Sequence, residues 1–422
     1  MNYRFHNLLG APYRGGNVVI TQNTQLISPV GNRVSITDLL KSQTITLPLQ
    51  SSSNIRRIAA SPDGTFLLTV DENHRCHFIN IPRRVILHRI NFKNAVNALK
   101  FSPDGKFIAV AAGKLVQIWR SPGFKKEFFA FELVRTIADC EDTVTAIDWS
   151  LDCKYLLVGS KDLVARLFCV EKLKDGILNK PFLFLGHRDN VVGCFFGYDK
   201  KNTDQVNKVY TITRDCYIFS WGYSGNNDGN FDENDEGNSE PASPGTPKRD
   251  GEGNVNGESL GNVKKRKDFD GKDLGEEGYL HKRKWELLRK DGFMQSPAKL
   301  TACTYHRGLD MVVVGFSNGV FGLYQMPDFV CMHLLSISRE KITAAVFNES
   351  GNWLVFGCAK LGQLLVWEWR SESYVLKQQG HYFDVNCLTY SPDSQLLATG
   401  ADDNKVKVQN EHTEMFYVFR KL

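Results

Sequence analysis

Short apolar segments alternate with polar turns along most of the chain. Residues 96–101 and 107–111 are typical, because each is a short run rich in β-branched, aromatic and small apolar residues next to a polar turn. No long amphipathic helical pattern interrupts this alternation. The pattern therefore predicts an all-β fold built from many short strands.

A turn motif that begins with serine recurs along the chain. It reads Ser-Pro-Asp at Ser61, Ser102 and Ser391, and Ser-Leu-Asp at Ser150. Proline presets φ for the second turn position, and aspartate can hydrogen-bond to its own backbone. The first three of these turns in chain order are 41 and 48 residues apart. Such a period, with four short strands in each unit, is typical of β-propeller blades.

Each repeat unit is too small to bury both faces of its own sheet, so the units must stack in a ring. Their number predicts a propeller of seven blades over residues 1–380, with a partial extra blade at the C-terminus. Residues 224–278 interrupt the fifth blade, before an expected outer strand near Trp285. This acidic insert is poor in apolar residues and cannot offset the entropy of an ordered chain, which predicts disorder.

The net charge of +5 combines two opposed parts of the chain. Residues 224–278 contain 14 acidic and 7 basic residues, so the rest of the chain carries a net +12. A basic folded body suits an anionic partner such as RNA. Positive charge scattered for solubility explains the same balance, and composition leaves both interpretations open.

No residue pattern predicts catalysis, a metal site or a cofactor. Residues 315–319 read Gly-Phe-Ser-Asn-Gly, which fits a hydrolase motif, but Asn-Gly between two β-segments predicts a hairpin turn. His74, Cys76 and His77 are too few for a closed zinc site. The ten cysteines form no C-x-x-C pair, which indicates free thiols in a reducing compartment such as the cytoplasm or the nucleus. With no signal peptide and only strand-sized apolar runs, we expect no membrane contact, and we expect no small-molecule substrate.

Histidine, aspartate and tryptophan residues recur at matching positions of the units. Histidines follow glycine at the start of two units, tryptophans lie near the ends of expected third strands, and aspartates lie in the preceding hairpin turns. This arrangement resembles the WD40 repeat family, in which such residues hydrogen-bond within one blade and hold its corner. The resemblance implies a structural role for His187, Asp215, Trp221, Asp162, Trp119, Trp367, His381 and Asp403.

Longer runs resemble one family among the WD-repeat proteins. They include residues 27–34, residues 158–162, and the run Leu-Gly-Gln-Leu-Leu-Val-Trp-Glu-Trp at 361–369, which continues to His381. These runs resemble the periodic tryptophan protein 2 family, over residues 1 to about 408. The resemblance implies a non-catalytic nucleolar scaffold of the small-subunit processome that acts in early 18S rRNA maturation. It implies as partners other WD-repeat and helical-repeat processome proteins, precursor rRNA and a box C/D small nucleolar ribonucleoprotein.

The same resemblance bears on the C-terminal residues. Members of the family carry two tandem propellers and a helical tail. We therefore expect residues 381–422 to be the truncated first blade of a second propeller that is missing from this chain. Gln409 stands where the family has tryptophan, which weakens the corner of that blade.

Two further motifs concern localisation and modification. Lys264, Lys265, Arg266 and Lys267 form a basic run that fits a nuclear import signal, although a charged loop without a receptor has the same composition. Ser243 and Thr246 each precede proline and fit proline-directed kinase sites. Together with the family resemblance, the basic run predicts the nucleus and the nucleolus.

A second function stays open. Residues 367–370 read Trp-Glu-Trp-Arg and loosely resemble the W-D-x-R box of substrate receptors for cullin-type ubiquitin ligases, with glutamate in place of aspartate. The longer family runs favour the processome scaffold over such a receptor.

Overall fold

A computed structural model describes residues 13–22, 24–122, 131–170, 181–199, 202–224, 284–293, 297–381, 385–393, 396–402, 405–410 and 416–420. The regular structure of these residues is eight antiparallel sheets of four strands and one 3-10 turn, Ala359–Leu361. In every sheet the strands are adjacent in chain order. The all-β architecture of four-stranded repeat units predicted from the sequence is confirmed.

The first four sheets, blades 1 to 4, run from the N-terminal residues to Phe184. Blade 1 contains β1 (Val19–Thr21), β2 (Gln25–Val30), β3 (Arg33–Asp38) and β4 (Gln43–Thr46). Blade 2 contains β5 (Ile55–Ala60), β6 (Phe66–Asp71), β7 (Arg75–Asn80) and β8 (Val85–Asn91). Blade 3 contains β9 (Val96–Phe101), β10 (Phe107–Ala112), β11 (Leu115–Arg120) and β12 (Leu133–Ile137). Blade 4 contains β13 (Val144–Trp149), β14 (Tyr155–Ser160), β15 (Ala165–Cys169) and β16 (Phe182–Phe184).

Three more blades and an eighth sheet follow. Blade 5 contains β17 (Val191–Asp199), β18 (Asn202–Thr213), β19 (Tyr217–Ser224) and β20 (Lys284–Gly292). Blade 6 contains β21 (Leu300–His306), β22 (Met311–Phe316), β23 (Val320–Gln325) and β24 (Val330–Ser336). Blade 7 contains β25 (Ala344–Phe347), β26 (Trp353–Cys358), β27 (Gln363–Glu368) and β28 (Ser373–Gln379). The eighth sheet contains β29 (Val385–Tyr390), β30 (Leu396–Ala401), β31 (Lys405–Asn410) and β32 (Phe416–Arg420).

The serine turns predicted from the sequence join the first and second strands of blades 2, 3 and 4 and of the eighth sheet. In blade 2, Ser61 Oγ donates to the Asp63 carboxylate and accepts the backbone N–H of Phe66 at 2.9 Å. The same pair of bonds forms at Ser102, Ser150 and Ser391. The hydroxyl satisfies a backbone donor that the hairpin would otherwise leave unpaired.

Neighbouring blades share their apolar cores. One cluster joins blades 3 and 4 through residues such as Ile118 and Trp149, and another joins blades 6 and 7 through residues such as Phe321 and Phe356. The first strands contact each other from blade to blade, and β1 contacts both β5 and β25. Blade 1 therefore packs against blade 7, and seven blades close the ring.

A threonine and a glycine join blade 6 to blade 7. Thr301 Oγ1 lies 3.1 Å from the carbonyl oxygen of Gly315 in its own blade and 2.6 Å from that of Ile342 at the start of blade 7. A Cβ atom at Gly315 would lie 2.8 Å from Ile342 Cγ2, closer than real Cβ contacts allow. The missing side chain of Gly315 therefore makes room for the next blade. We call this arrangement the threonine–glycine joint.

The same joint recurs between blades 4 and 5, where Thr145 contacts the carbonyl oxygens of Gly159 and Val191. It recurs once more where the ring closes. Thr343 Oγ1 lies 2.9 Å from the Gly357 carbonyl oxygen and 3.3 Å from the hydroxyl of Tyr13, and a Cβ atom at Gly357 would lie 2.7 Å from the Tyr13 ring. Tyr13 thus fills the space that a residue of the next blade fills at the other joints.

Tyr13 is held in place from both sides. Its hydroxyl donates to the Gly16 carbonyl oxygen at 2.5 Å, and its side chain is buried in a cluster with Leu26 of blade 1 and with Val355 and Val366 of blade 7. Burial raises the pKa of Tyr13 to about 12, which further favours the protonated phenol that donates this bond.

The eighth sheet does not continue the ring. None of its described strands pairs with a strand of the seven blades. Leu388 and Tyr390 of its first strand are 65% and 55% exposed. Gly400 occupies the position of the joint glycine, but within 4 Å its missing Cβ would meet only Cys387 of the same sheet. No neighbouring blade fills this joint among the described residues.

The eighth sheet is more complete than the sequence predicts. A partial blade was expected, but β32 adds a fourth strand that pairs with β31 from Lys405↔Arg420 to Gln409↔Phe416. The residues Phe-Tyr-Val-Phe at 416–419 have high β-propensity, which explains why a fourth strand forms. Residues 225–278 of the acidic insert, and Asp403, lie outside the described residues. The assignment of 381–422 to a second propeller stays a prediction.

The closing contact predicts the effect of removing the Tyr13 side chain. We expect Tyr13→Ala to lower the free energy of unfolding by about 3–5 kcal/mol, because it leaves a cavity between blades 1 and 7. Tyr374→Ala is the matched control, because Tyr374 lies on outer strand β28 and is 53% exposed. The control should change stability by about 0.5 kcal/mol or less. Equal effects of the two variants in urea unfolding would show that Tyr13 does not close the ring.

Candidate functional site

The predicted WD corner is present in blade 5. His187 Nε2 lies 2.8 Å from Thr211 Oγ1, and Trp221 Nε1 donates to the same hydroxyl at 3.0 Å. Because the Leu163 carbonyl oxygen of blade 4 can only accept, His187 Nδ1 carries the proton and donates to it at 3.0 Å. In the neutral imidazole Nε2 is then an acceptor, so the Thr211 hydroxyl donates to it while accepting the Trp221 N–H. Burial lowers the pKa of His187, which favours this neutral imidazole.

The two predicted aspartates that the structure describes hold turns. Asp215 accepts the Thr213 hydroxyl in the turn before β19. Asp162 accepts the backbone N–H of Glu141 at 3.0 Å and pairs with Arg166 at 2.7 Å, with both side chains of the pair buried. Burial raises the pKa of Asp162, but the hydrogen bonds from Ser160 and Glu141 and the charge of Arg166 hold it below its usual value. Arg166 was not anticipated from the sequence.

The other predicted WD residues have different surroundings from those of Trp221. Trp119 packs edge-on against Phe92 and Phe131, and Trp367 packs in the same way against Phe321 of blade 6. Both serve as apolar filling between blades. His381 Nε2 lies 2.9 Å from Thr399 Oγ1 and repeats the first contact of the blade 5 corner in the eighth sheet.

A buried carboxylate, Asp148 of blade 4, links four blades. It pairs with Lys100 of blade 3 at 2.5 Å and with Arg307 of blade 6 at 2.9 Å, and it accepts the backbone N–H of Phe196 in blade 5 at 3.0 Å. Arg307 also donates to the Trp149 carbonyl oxygen at 2.6 Å. Burial raises the pKa of Asp148, but the charges of Arg307 and Lys100 outweigh it and hold this pKa below its usual value.

The first strands of the seven blades surround a central channel with a cavity of about 570 Å³. A β-bulge recurs near the start of these strands, so that residues such as Thr145 and Thr301 lie out of the strand register. Lining residues include Asn97, Thr145, Asn190, Thr301 and Thr343, together with aliphatic side chains. All four charged lining residues among the described residues are basic: Arg57, Lys161, Arg214 and Lys341.

Three of the four basic residues, Lys161, Arg214 and Lys341, lie at one mouth of the channel. The first residue of β13, Val144, pairs with Ser160, the last residue of β14. Lys161 follows Ser160 directly in the chain. Arg214 follows β18 in the same way, and Lys341 precedes β25. Hydrogen bonds from Lys161 N to Thr143 O and from Arg214 N to Asn190 O fix the two backbones at 3.0 and 2.9 Å. Sequence analysis missed this convergence, although a basic residue next to a strand end in several units was a visible signal.

The described residues hold no group of three or more His, Cys, Asp or Glu side chains that could bind a metal ion. The motif at 315–319 spans the end of β22 and the turn to β23, where Gly319 has a φ of 79°. In this part of the chain no helix has the length and apolar character needed to cross a membrane.

Comparison with known proteins agrees with this architecture. The family model of the WD domain, G-beta repeat, matches residues 85–120, 131–169 and 372–410. Each match spans the outer strand of one sheet and the first three strands of the next. The crystal structure of the Cps50 (Swd1) β-propeller domain of Myceliophteria thermophila superposes with a TM-score of 0.60 at 11% identity, covering 86% of this chain and 99% of that one. The chain is a WD-repeat β-propeller protein.

Sequence comparison identifies the family. Periodic tryptophan protein 2 of Arabidopsis thaliana is 70% identical over 420 residues, which cover 97% of this chain and 46% of that protein. Periodic tryptophan protein 2 of Saccharomyces cerevisiae is 36% identical over 96% of this chain and 40% of its own length. The chain belongs to the periodic tryptophan protein 2 family across the part of those proteins that it spans, which is less than half of their length.

The charge cluster predicts how stability depends on Asp148 and on pH. Asp148→Asn should lower the free energy of unfolding at pH 7 by about 3–5 kcal/mol, because it leaves Arg307 and Lys100 without their buried counter-charge. Because the pKa of Asp148 is lowered on folding, its contribution is present above the ordinary aspartate pKa of about 3.9 and is lost as the pH falls through the folded-state pKa.

The difference between wild type and Asp148→Asn should therefore narrow in urea unfolding curves as the pH is lowered below about 4. Asp328→Asn removes an exposed carboxylate and serves as the control. A difference that does not change with pH would contradict the assignment of the effect to the Asp148 charge.

Proposed function

We propose that the chain is a non-catalytic scaffold of the small-subunit processome. In this role it binds other processome proteins, precursor rRNA and a box C/D small nucleolar ribonucleoprotein during early 18S rRNA maturation. The observation that carries the proposal is the 70% identity to periodic tryptophan protein 2 of Arabidopsis thaliana over 97% of the chain. Because the chain spans less than half of the length of its relatives, the proposal concerns only the part of this role that the propeller performs.

The surface of the ring suits a scaffold. Outer strands β20 and β24 expose apolar side chains, including Leu288, Val330 and Met332, at the edges of blades 5 and 6. Exposed apolar groups on a strand edge can accept a partner protein through side-chain burial and main-chain pairing. The net charge of +12 outside residues 224–278 favours RNA among possible partners.

Two buried polar residues that could suggest chemistry, His187 and Asp148, already have structural partners. His187 is neutral and bonded on both ring nitrogens, and Asp148 is neutralised by two cations. A general base or nucleophile needs a free lone pair within reach of a substrate. These assignments support a binding function without catalysis.

The cellular location and the alternative function belong to the same proposal. We place the chain in the nucleus and nucleolus, on the family resemblance and on the basic run at 264–267, which lies outside the described residues with Ser243 and Thr246. In the four-residue box of the ubiquitin-ligase alternative, Trp367 is buried between blades 6 and 7 and Arg370 is exposed. The 70% identity to periodic tryptophan protein 2 favours the processome scaffold over that alternative.

Purification from cells tests the proposal. A tagged copy of the chain should concentrate in nucleoli and recover box C/D small nucleolar RNA with processome proteins. Replacement of residues 264–267 by glutamine should lower the nuclear fraction, whereas replacement of four exposed ring residues, Lys41, Lys93, Lys154 and Lys377, should not. Recovery of a cullin adaptor without small nucleolar RNA would favour the receptor alternative, and recovery of neither would contradict the proposal.

A further inference from the structure

The central channel concentrates positive charge without a counter-charge in its lining. Arg57, Lys161, Arg214 and Lys341 line a cavity of about 570 Å³, and no described lining residue is a carboxylate. The volume lies within the range of roughly 300–1,000 Å³ that is usual for small-ligand sites. A cleft lined by charge of one sign, with walls of low dielectric, focuses its field on the space inside.

Arg57 is the deepest of these cations. Its Nε donates to the Asn97 carbonyl oxygen at 2.6 Å, and Nη1 lies 3.3 Å from the Arg56 carbonyl oxygen, so only neutral oxygens contact it. Partial burial lowers the pKa of Arg57 below its ordinary value. A cation that is partly removed from water costs free energy unless an anion compensates it. Arg56 itself is engaged by Glu72 at 3.1 Å, so that carboxylate is already committed.

The other three cations are exposed at the mouth and their backbones are fixed. Lys161 and Arg214 sit on turns that are hydrogen-bonded to the start of the inner strands, and Lys341 precedes Ile342, whose N–H donates to Phe316 O. Their side chains have no carboxylate within salt-bridge distance among the described residues, whereas exposed Lys360 and Arg56 do. Backbones fixed by hydrogen bonds therefore carry three exposed cations around one opening.

We propose that this basic mouth binds a phosphate group. Two guanidinium and two ammonium groups match a multiply charged oxyanion, because arginine can bind phosphate through two parallel N–H bonds and lysine adds a compact positive charge. The surrounding hydroxyl and amide side chains of Thr145, Asn190 and Thr343 supply neutral partners. The phosphate belongs either to a free polyanion such as pyrophosphate or to the backbone of an RNA strand that crosses the mouth.

The inference does not depend on processome membership, since it concerns the purified 422-residue chain. Inorganic pyrophosphate is titrated into this chain by calorimetry at low salt, with binding expected at a single site. The triple variant Lys161→Gln, Arg214→Gln and Lys341→Gln should bind roughly tenfold more weakly or worse. The matched control Lys41→Gln, Lys154→Gln and Lys377→Gln removes the same charge from the outside of the ring and should bind as the wild type does.

Thermal melting of both triple variants shows whether they are folded, and all substituted side chains are exposed. A second titration with a short single-stranded RNA distinguishes the sources. RNA binding that pyrophosphate displaces assigns the phosphate to an RNA strand, and pyrophosphate binding without RNA binding assigns it to a free polyanion. No binding of either probe, or equal losses in both triple variants, would overturn the proposal.

Discussion

The ring depends on a contact between its two ends that no shared strand reinforces. All four strands of blade 1 come from the N-terminal part of the chain and all four strands of blade 7 come from residues 344–379, so no sheet combines the two. Closure therefore rests on side chains, and above all on Tyr13 between Thr343 and Gly357. Because each blade buries its faces only against its neighbours, losing this contact exposes both end blades to water.

Polar residues inside the ring hold neighbouring blades together, as the threonine–glycine joints do. Asp148 connects blades 3, 4, 5 and 6 through ionic and backbone contacts, and the corner at His187 ties blade 5 to the turn of blade 4. Because these interior polar groups bind one another, the groups that can bind a partner lie on the outer strands and around the channel mouth. A scaffold needs this division, since partners can bind without disturbing the contacts that hold the blades.

Local sequence patterns predicted those parts of the fold that local chemistry controls. The serine turns were visible because one hydroxyl and one carboxylate within three residues complete the hairpin at Ser61 and at its three counterparts. The blade 5 corner followed from the Gly-His and Trp positions. The surroundings of Trp119 and Trp367 were less predictable, because their ring partners Phe131 and Phe321 come from other segments of the chain.

Features that bring distant residues together could not be predicted. Tyr13 and Gly357 are far apart in the chain, and nothing near Tyr13 marks it as a substitute for the aliphatic residue of a next blade. The repeated Thr-Ala pairs at 145, 301 and 343 did give a local signal for the joints. Basic residues next to strand ends can be seen in the sequence, but only the strand register shows that Arg57, Lys161, Arg214 and Lys341 surround one channel.

A cysteine cross-link tests most directly whether seven blades close the ring. A Cβ atom at Gly15 would lie 3.5 Å from Ala359 Cβ, a separation that a disulfide spans. The account predicts that Gly15→Cys with Ala359→Cys yields a disulfide between positions 15 and 359, identified by peptide mapping under oxidising conditions. Asp402 follows β30 of the eighth sheet as Ala359 follows β26 of blade 7. A disulfide between positions 15 and 402 in the variant Gly15→Cys with Asp402→Cys, and none between 15 and 359, would place the eighth sheet inside the ring and contradict the account.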